Sequence, residues 1–316
     1  MRGQILNVNT RPAPARPAAV HAVGRQKLLG HLAMLLFALL VAGSFSLGAL
    51  AAPHIGPSAL NAFRFLLGTM VIGAIALVMT GGRIPRPVAP WRYLILGALM
   101  AVFFVTMFVG LLHSDPVSTG AIFTLMPLFG ALFGLLILGQ VPSKVVLASL
   151  LFAGLGAVWV IFRGDIDALL AFDLGYGEAI FLVGVACHAL YSPLVRRFNR
   201  GEVLIGFTFW TMAATGLWIV AYGAREILAT DWLALPLVVW VAILYLVIFT
   251  TSITFFLMQF ASMRLPSSKV LAYTYLTPSF VILIEVLLGH GWAPVSVLAG
   301  ALVTVMGLVV LALSRD

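Results

Sequence analysis

Charge is what this sequence has least of. Only 9% of its 316 residues are Asp, Glu, Lys or Arg, whereas 62% are hydrophobic, and the mean hydropathy is +1.13. A soluble domain carries about 25% charged residues, so this composition cannot provide a water-facing surface for a chain of this length. Apolar runs of about 20 residues, long enough to cross a hydrocarbon core, recur along the chain. The sequence therefore predicts a polytopic membrane protein.

Cysteine and enzyme motifs are also scarce. The single cysteine, Cys187, excludes a disulfide within the chain and a thiolate cluster for a metal. The six histidines are dispersed, and the sequence contains neither an HExxH motif nor a P-loop. The connections between apolar runs are too short for a nucleotide-binding domain. We therefore expect no metal site, no cofactor and no enzymatic activity.

Basic residues exceed acidic ones by eight, but they form no stripe of the kind that binds nucleic acid. Instead, 15 of the 18 Lys and Arg residues lie near the two chain ends or in every second connection between apolar runs. This alternation follows the positive-inside rule. It predicts an inner-membrane protein with both termini in the cytoplasm, an even number of crossings and no nucleic-acid partner.

Ten apolar runs follow a tail at residues 1–27, which is rich in Pro and Arg and lacks apolar periodicity. The tail is predicted to be disordered and cytoplasmic. All ten runs are predicted to be helices, because an open strand cannot satisfy its backbone polar groups in lipid. Their predicted bounds are 28–51, 59–80, 91–112, 117–139, 144–162, 174–195, 203–222, 234–258, 268–289 and 293–313.

The fourth and ninth runs share a pattern, since each has a proline near its middle, at Pro127 and Pro278. They occupy equivalent places in two sets of five helices, residues 28–163 and 174–313. Five is odd, so the second set has the opposite orientation in the membrane, which predicts an all-α fold of two inverted five-helix repeats. Such repeats commonly place the substrate site near mid-membrane, and we expect the two prolines to break the helices or to act in gating.

Polar side chains within the spans are candidates for a substrate site, because polar and ionisable groups are costly inside a membrane. The candidates are Arg64, His188, Tyr191, Tyr275, Thr277 and Glu285. The Arg64 guanidinium is suited to an anionic substrate, or alternatively to an ion pair with Glu178 or Glu285, which lie at similar depth. Glu285 is also a candidate for proton coupling. For His188 and the hydroxyl side chains, the alternative is a hydrogen bond to a neighbouring helix.

Short motifs recur at the starts and ends of the apolar runs. Gly56-Pro57 is followed by Asn61-Ala-Phe-Arg-Phe65 at the start of the second run, and further motifs lie in segments 111–140, 177–197, 261–289 and 300–311. Together these segments resemble the EamA-type, ten-helix members of the drug/metabolite transporter superfamily, in which the first motif is the entry to helix 2. This sequence departs from the family's Gly-Glu at the ends of helices 4 and 9, where it has Gly139-Gln140 and Gly289-His290.

The resemblance implies a transmembrane transporter of a small polar metabolite, such as an amino acid or an amine. Export by alternating access, with gradient coupling or facilitated exchange, is the activity expected. One alternative is an importer of a vitamin-like or nucleoside-like compound with the same fold. From another class, the alternative is a membrane-embedded transferase acting on a lipid-linked substrate. The expected partners are the bilayer, a small-molecule substrate and protons as candidate coupling ions, and the chain is expected to be a monomer or a homodimer.

Overall fold

The computed structural model describes residues 22–51, 53–113, 122–162, 164–172, 175–287 and 295–314. Within these ranges the regular secondary structure is helical and no strand occurs. Among the described residues, eight helices are long and apolar enough to cross a membrane. Two more apolar helices, in the fourth and ninth positions, are shorter or interrupted. The predicted all-α polytopic fold is thus confirmed.

The ten helices are numbered in chain order: α1 Gly24–Ala51, α2 Pro57–Met79, α3 Trp91–His113, α4 Met126–Leu138, α5 Lys144–Ile161, α6 Tyr176–Phe198, α7 Leu204–Ala229, α8 Leu237–Ser262, α9 267–287 and α10 Val295–Leu313. A short helix, Ile166–Leu170, lies between α5 and α6. Helix α1 begins at Gly24 rather than at residue 28, so the last residues of the predicted tail are helical. Residues 1–21 of that tail lie outside the described residues.

Helices α4 and α9 are broken at their prolines. Pro127 lies in the first turn of Met126–Leu138, after two turn residues. In α9, a 3-10 turn at Tyr273–Leu276 precedes the segment Thr277–Leu287, whose second residue is Pro278. A proline in the first turn removes an N–H that has no intrahelical partner, so a helix starts there at little cost. The two repeats share these breaks at equivalent positions, and a gating role for the prolines stays a prediction.

Helix α8 contains an irregularity that the hydropathy pattern did not predict. Its middle, Ile248–Ile253, is a π-helix between the α-helical segments Leu237–Val247 and Thr254–Ser262. A π segment inserts an extra residue into a helix and is found frequently at functional sites. The two ends of α8 are therefore rotated relative to each other, compared with a regular α-helix.

One face of the bundle gathers the start of α1, the end of α10 and the Arg-rich connections, and we call it the basic face. The ammonium groups of Lys27 and Lys269 donate to the carbonyl of Ser314, after α10, at 3.4 and 2.7 Å. On the same face, Arg92 forms an ion pair with Glu202. The start of α1 and the end of α10 thus lie on the same side, as an even number of crossings requires. Which side of the membrane this face occupies stays a prediction.

At the opposite face, the second repeat caps a helix of the first. The Glu226 carboxylate, near the end of α7, accepts hydrogen bonds from the backbone N–H groups of Ser58 and Ala59 at 2.9 and 3.1 Å. The first N–H groups of a helix have no intrahelical partner, and negative charge is favourable beside them. A Cβ atom at Gly56 would collide with this carboxylate, so a larger residue there would displace the carboxylate from its capping position.

Glycines allow several helices to approach closely. A Cβ atom at Gly156 of α5 would lie 2.7 Å from the carbonyl oxygen of Gly300 of α10. Between α3 and α7, a Cβ atom at Gly97 would lie 2.6 Å from the carbonyl carbon of Ala214. Small residues at such contacts increase van der Waals packing, which drives helix association in membranes.

Candidate functional site

His188 lies in the middle of α6, where this helix of the second repeat packs against α3 of the first. Its side chain is 4% exposed, and its ring centroid is 4.3 Å from that of Phe103. The Nδ1 atom is buried and has no hydrogen-bond partner among the described residues. A buried polar atom without a partner costs about 1–3 kcal/mol, so His188 is a candidate for binding a ligand.

Tyr191, three residues further along α6, is anchored inside the bundle. Gln259 Nε2 of α8 donates to the Tyr191 hydroxyl at 2.8 Å, and the Gln259 amide oxygen accepts from the Thr208 hydroxyl of α7. The tyrosine ring also packs edge-on against His188, with centroids 6.4 Å apart, and against Phe255, at 6.1 Å. The structure therefore brings together two predicted site residues, His188 and Tyr191.

Arg64 of α2 is held by α8. Its Nη2 atom donates to the carbonyl oxygen of Thr250 at 2.7 Å and to the Thr250 hydroxyl at 3.1 Å, and its Nε atom donates to the Thr251 hydroxyl. The guanidinium also lies 4.6 Å from the ring centroid of Phe104. These contacts use the planar, forked donor set of arginine. Arg64 thus cross-links the first repeat to the second.

The π segment of α8 explains why a carbonyl is available to Arg64. An inserted residue disturbs the regular hydrogen bonds of a helix and leaves carbonyl oxygens that need other donors. The Thr250 carbonyl lies in this segment and accepts from both Arg64 and the Thr254 hydroxyl, the latter at 2.8 Å.

The predicted alternative, an ion pair between Arg64 and a carboxylate, is not formed among the described side chains. Glu178 is in the first turn of α6 and is 6% exposed, and it forms no ion pair with Arg64 in the described part of the chain. The side chain of Glu285 lies outside the described residues. Among the described residues, Arg64 is therefore held by hydrogen bonds and cation–π contacts.

A series of aromatic contacts connects Arg64 to the His188–Tyr191 pair. Phe104, which contacts Arg64, is stacked on Phe255 with centroids 6.3 Å apart, and Phe255 contacts Tyr191. The hydrogen bonds described for Arg64 go to Thr250 and Thr251, whereas the one described for Tyr191 goes to Gln259. The two polar groups therefore have different hydrogen-bond partners.

The candidates on α9 have different surroundings. The Tyr275 hydroxyl is directed at α5, where a Cβ atom at Gly154 would lie 3.0 Å from it. The Thr277 hydroxyl is buried beside the helix break and has no hydrogen-bond partner among the described residues. Tyr273 shares a hydrogen bond of 2.9 Å with His31 Nδ1 of α1. Tyr275 therefore contacts a different helix from those that contact His188 and Tyr191.

Gln259 is the residue of this site that the sequence analysis missed. It is fully buried in an apolar helix, where an uncharged amide is costly unless its donors and acceptor are bonded. The signal was present in the sequence, since Gln259 is the only amide side chain in α8.

No group of three or more His, Cys, Asp and Glu side chains that could hold a metal ion occurs in the described part of the chain. A cavity of about 290 Å³ opens between the α1–α2 and α7–α8 connections, with His54, Thr230 and Asp231 in its lining. None of the predicted site residues lines this cavity.

Comparisons with known proteins agree with this architecture. A protein of Bacillus subtilis (strain 168), described as uncharacterized transporter YyaM, is 26% identical over 282 residues, which are 88% of this chain and 91% of that protein. A crystal structure with 22% sequence identity has the same fold, with a TM-score of 0.71 over 90% of this chain and 96% of that one. The profile of the EamA-like transporter family matches residues 28–162 and again residues 175–313. Because the two matches span both sets of five helices, the chain belongs to the EamA-like transporter family.

Proposed function

We propose that this membrane transporter moves a small polar metabolite, such as an amino acid or an amine, outward across the inner membrane. It works by alternating access, coupled to an ion gradient or by facilitated exchange. The family membership supports a transport function. The sequence contains no enzyme motif that would suggest an additional catalytic activity. The basic face is cytoplasmic in this proposal, because 15 of the 18 Lys and Arg residues lie in its connections or at the chain ends.

The observation that carries the substrate site is the unpartnered Nδ1 atom of His188. It lies at the middle of a membrane span and at a contact between the two repeats. Inverted-repeat transporters commonly bind substrate near mid-membrane where the repeats meet. A polar group of the substrate at His188 would satisfy a nitrogen that the described protein atoms leave unbonded.

The remaining candidates take different roles. Tyr191 and Thr277 contact the substrate together with His188, since Thr277 also has a buried hydroxyl without a described partner. Arg64 and Tyr275 take structural roles, Arg64 through its hydrogen bonds to α8 and Tyr275 through packing against α5. Pro127 and Pro278 provide the breaks at which α4 and α9 bend.

Glu285 is retained as the proton-coupling group. An ionisable residue in an apolar span is costly, and proton relays are a common reason for its presence. Vesicles with and without a pH gradient test this part of the proposal. Counterflow that is insensitive to the gradient in the wild type would remove Glu285 from the mechanism.

Counterflow in proteoliposomes tests the function. Vesicles are loaded with one unlabelled compound from a panel of amino acids, amines, nucleosides and sugars, and uptake of the labelled compound is measured. We expect exchange of at least one amino acid or amine. For that compound, His188→Ala should raise the KM by about fivefold or more, the effect of losing one hydrogen bond. The matched control is His54→Ala, because His54 is exposed in the α1–α2 connection.

Absence of exchange for the whole panel would overturn transport of small polar metabolites. An unchanged KM in His188→Ala would overturn the site. Right-side-out and everted membrane vesicles then establish direction, and accumulation in everted vesicles is the result expected for an exporter.

A further inference from the structure

Gln259 connects three helices through one amide group. Its side chain on α8 is bonded to Tyr191 of α6 and to Thr208 of α7, and its exposed fraction is 0%. Both polar ends of the amide are occupied, so the side chain has a single low-energy position. Glutamine is otherwise a flexible side chain. Held in this way, Gln259 fixes the position of a side chain of α6 relative to α7 and α8.

The hydroxyl of Tyr191 depends on this contact. Among the described residues, Gln259 is its only hydrogen-bond partner. Phe255 and His188 contact the ring of Tyr191 but offer no hydrogen bond to its hydroxyl. Without the amide, packing alone would limit the ring, and the hydroxyl would lose its defined position.

The π segment allows α8 to make both the Gln259–Tyr191 contact and the Thr250–Arg64 contact. A regular α-helix turns by about 100° per residue, so removing the inserted residue would rotate Gln259 by about 100° relative to Thr250. Thr250 now faces Arg64 of α2, while Gln259 faces α6 and α7. The irregular segment thus allows the two ends of α8 to serve different neighbours.

We propose that Gln259 is a positioning residue, which holds the Tyr191 hydroxyl where it meets the substrate. The inference rests on the proposed function, in which Tyr191 contacts the transported metabolite. Gln259 itself reaches the substrate only through Tyr191, because both ends of its amide are bonded within the protein.

A readout that needs no substrate tests the positioning directly. The protein is labelled with 3-fluorotyrosine, and the ¹⁹F resonance of Tyr191 is assigned from the signal that Tyr191→Phe removes. We expect one sharp resonance in the wild type and a shifted or broadened one in Gln259→Met, which keeps the side-chain length without hydrogen bonds. Gln259→Glu, which keeps two polar atoms, should restore a sharp resonance. Thr208→Val removes the hydroxyl that donates to the Gln259 amide oxygen, and it should shift the signal in the same direction as Gln259→Met.

Ser262→Ala is the matched control. Ser262 and Ser192 form a buried hydrogen bond of 3.1 Å that also joins α8 to α6, but among the described contacts neither serine is hydrogen-bonded to the Tyr191 hydroxyl. The Tyr191 resonance should therefore be unchanged in Ser262→Ala. A Gln259→Met protein that is monodisperse and gives the wild-type Tyr191 resonance would overturn the inference, as would an equal shift in Ser262→Ala.

Counterflow gives the functional arm, with the panel amino acid or amine that exchanges fastest as the probe. Gln259→Met should raise the KM by about fivefold with kcat nearly unchanged, and Gln259→Glu should recover most of it. If Tyr191→Phe leaves the KM of every panel compound unchanged, the proposed site is wrong. If Tyr191→Phe raises the KM but Gln259→Met does not, the site stands and the positioning role is wrong.

Discussion

The side-chain oxygen of Gln140, just after α4, accepts a hydrogen bond of 3.1 Å from the backbone N–H of Ser267 at the start of α9. The contact joins the two repeats at the basic face and supplies a partner to an N–H group that the helix start leaves free. Gly139, in the left-handed conformation with φ 65°, turns the chain so that Gln140 can reach α9.

The cap at Ser267 predicts the behaviour of two Gln140 variants. Gln140→Ala should lower the free energy of unfolding by about 1 kcal/mol, as loss of a helix cap does. Gln140→Glu, which restores the family's residue, should match or exceed the wild type because a negative charge is favourable at a helix N-terminus. Thermal unfolding of purified protein in detergent measures both. Gln26→Ala, which removes an exposed hydrogen bond to Arg264, is the control and should have little effect. A Gln140→Ala midpoint equal to that of this control would contradict the prediction.

Stability should fall at acidic pH through Glu202. Burial raises the pKa of this carboxyl, but the hydrogen bonds from Arg92 and from the Arg200 N–H, the latter at 2.6 Å, together lower the pKa by more than burial raises it. The net pKa therefore lies below its usual range. A carboxyl with a depressed pKa in the folded state stabilises the protein above its unfolded pKa of about 4.3. That stabilisation is lost as the pH falls through the folded pKa.

Thermal unfolding between about pH 7 and pH 3 tests the Glu202 contribution. The wild-type midpoint should decline below about pH 4, whereas Glu202→Gln should start lower at neutral pH and decline less. Parallel curves for the two proteins would contradict the assignment.

Arg64 should not be replaceable by lysine. Arg64→Lys keeps the charge but lacks the fork that reaches Thr250 and Thr251 together, so both Arg64→Lys and Arg64→Ala should be destabilised. Each hydrogen bond lost by a charged group costs about 1.5–3 kcal/mol. Arg225→Lys, on the exposed part of α7, provides the comparison in thermal unfolding. Wild-type stability in Arg64→Lys would show that the charge alone matters.

Two glycine-to-alanine changes should differ in sign. At Gly97 the added Cβ atom would lie 2.6 Å from backbone of Ala214, so Gly97→Ala should force α3 from α7 and cost about 1–3 kcal/mol. At Gly216 the nearest atom, Cβ of Phe65, is 3.4 Å away, which is ordinary contact. Gly216→Ala should be neutral or slightly stabilising, because alanine favours helix over glycine. Equal unfolding midpoints for the two variants would refute the close approach of α3 and α7.

A cross-link between α1 and the α8–α9 connection should stop transport. A Cβ atom at Gly30 would lie 3.0 Å from Cγ of Leu265, so cysteines at both positions fall within reach of a disulfide. In a Cys187→Ala background, oxidation of the Gly30→Cys, Leu265→Cys protein should abolish counterflow, and reduction should restore it. Each single-cysteine variant serves as a control. Full counterflow by completely cross-linked protein would mean that these segments stay together throughout the cycle.

Hydropathy predicted the spans because a chain this apolar lies in lipid, where a helix satisfies the backbone polar groups of each segment. Composition is therefore enough to predict membrane-spanning helices. The pair His188 and Tyr191 was likewise predictable, since a spacing of three residues puts both on one helix face. The breaks at Pro127 and Pro278 followed from proline's missing N–H.

The π segment of α8 could not be predicted from hydropathy. Its residues, Ile248–Ile253, have the same hydropathy in an α-helix or a π-helix, and the irregularity is supported by Arg64, which lies 187 positions from Thr251. The direction of the Tyr275 side chain was not predictable for a related reason, because it lies in a 3-10 turn where side chains do not follow the α-helical period. Contacts between distant segments decide both features.

The caps at the two faces make each half depend on the other. Glu226 of the second half completes the start of α2 in the first, and Gln140 of the first half completes the start of α9 in the second. Either half alone would therefore leave one of these helix starts without its side-chain partner, so the two halves stabilise each other at both ends of the bundle.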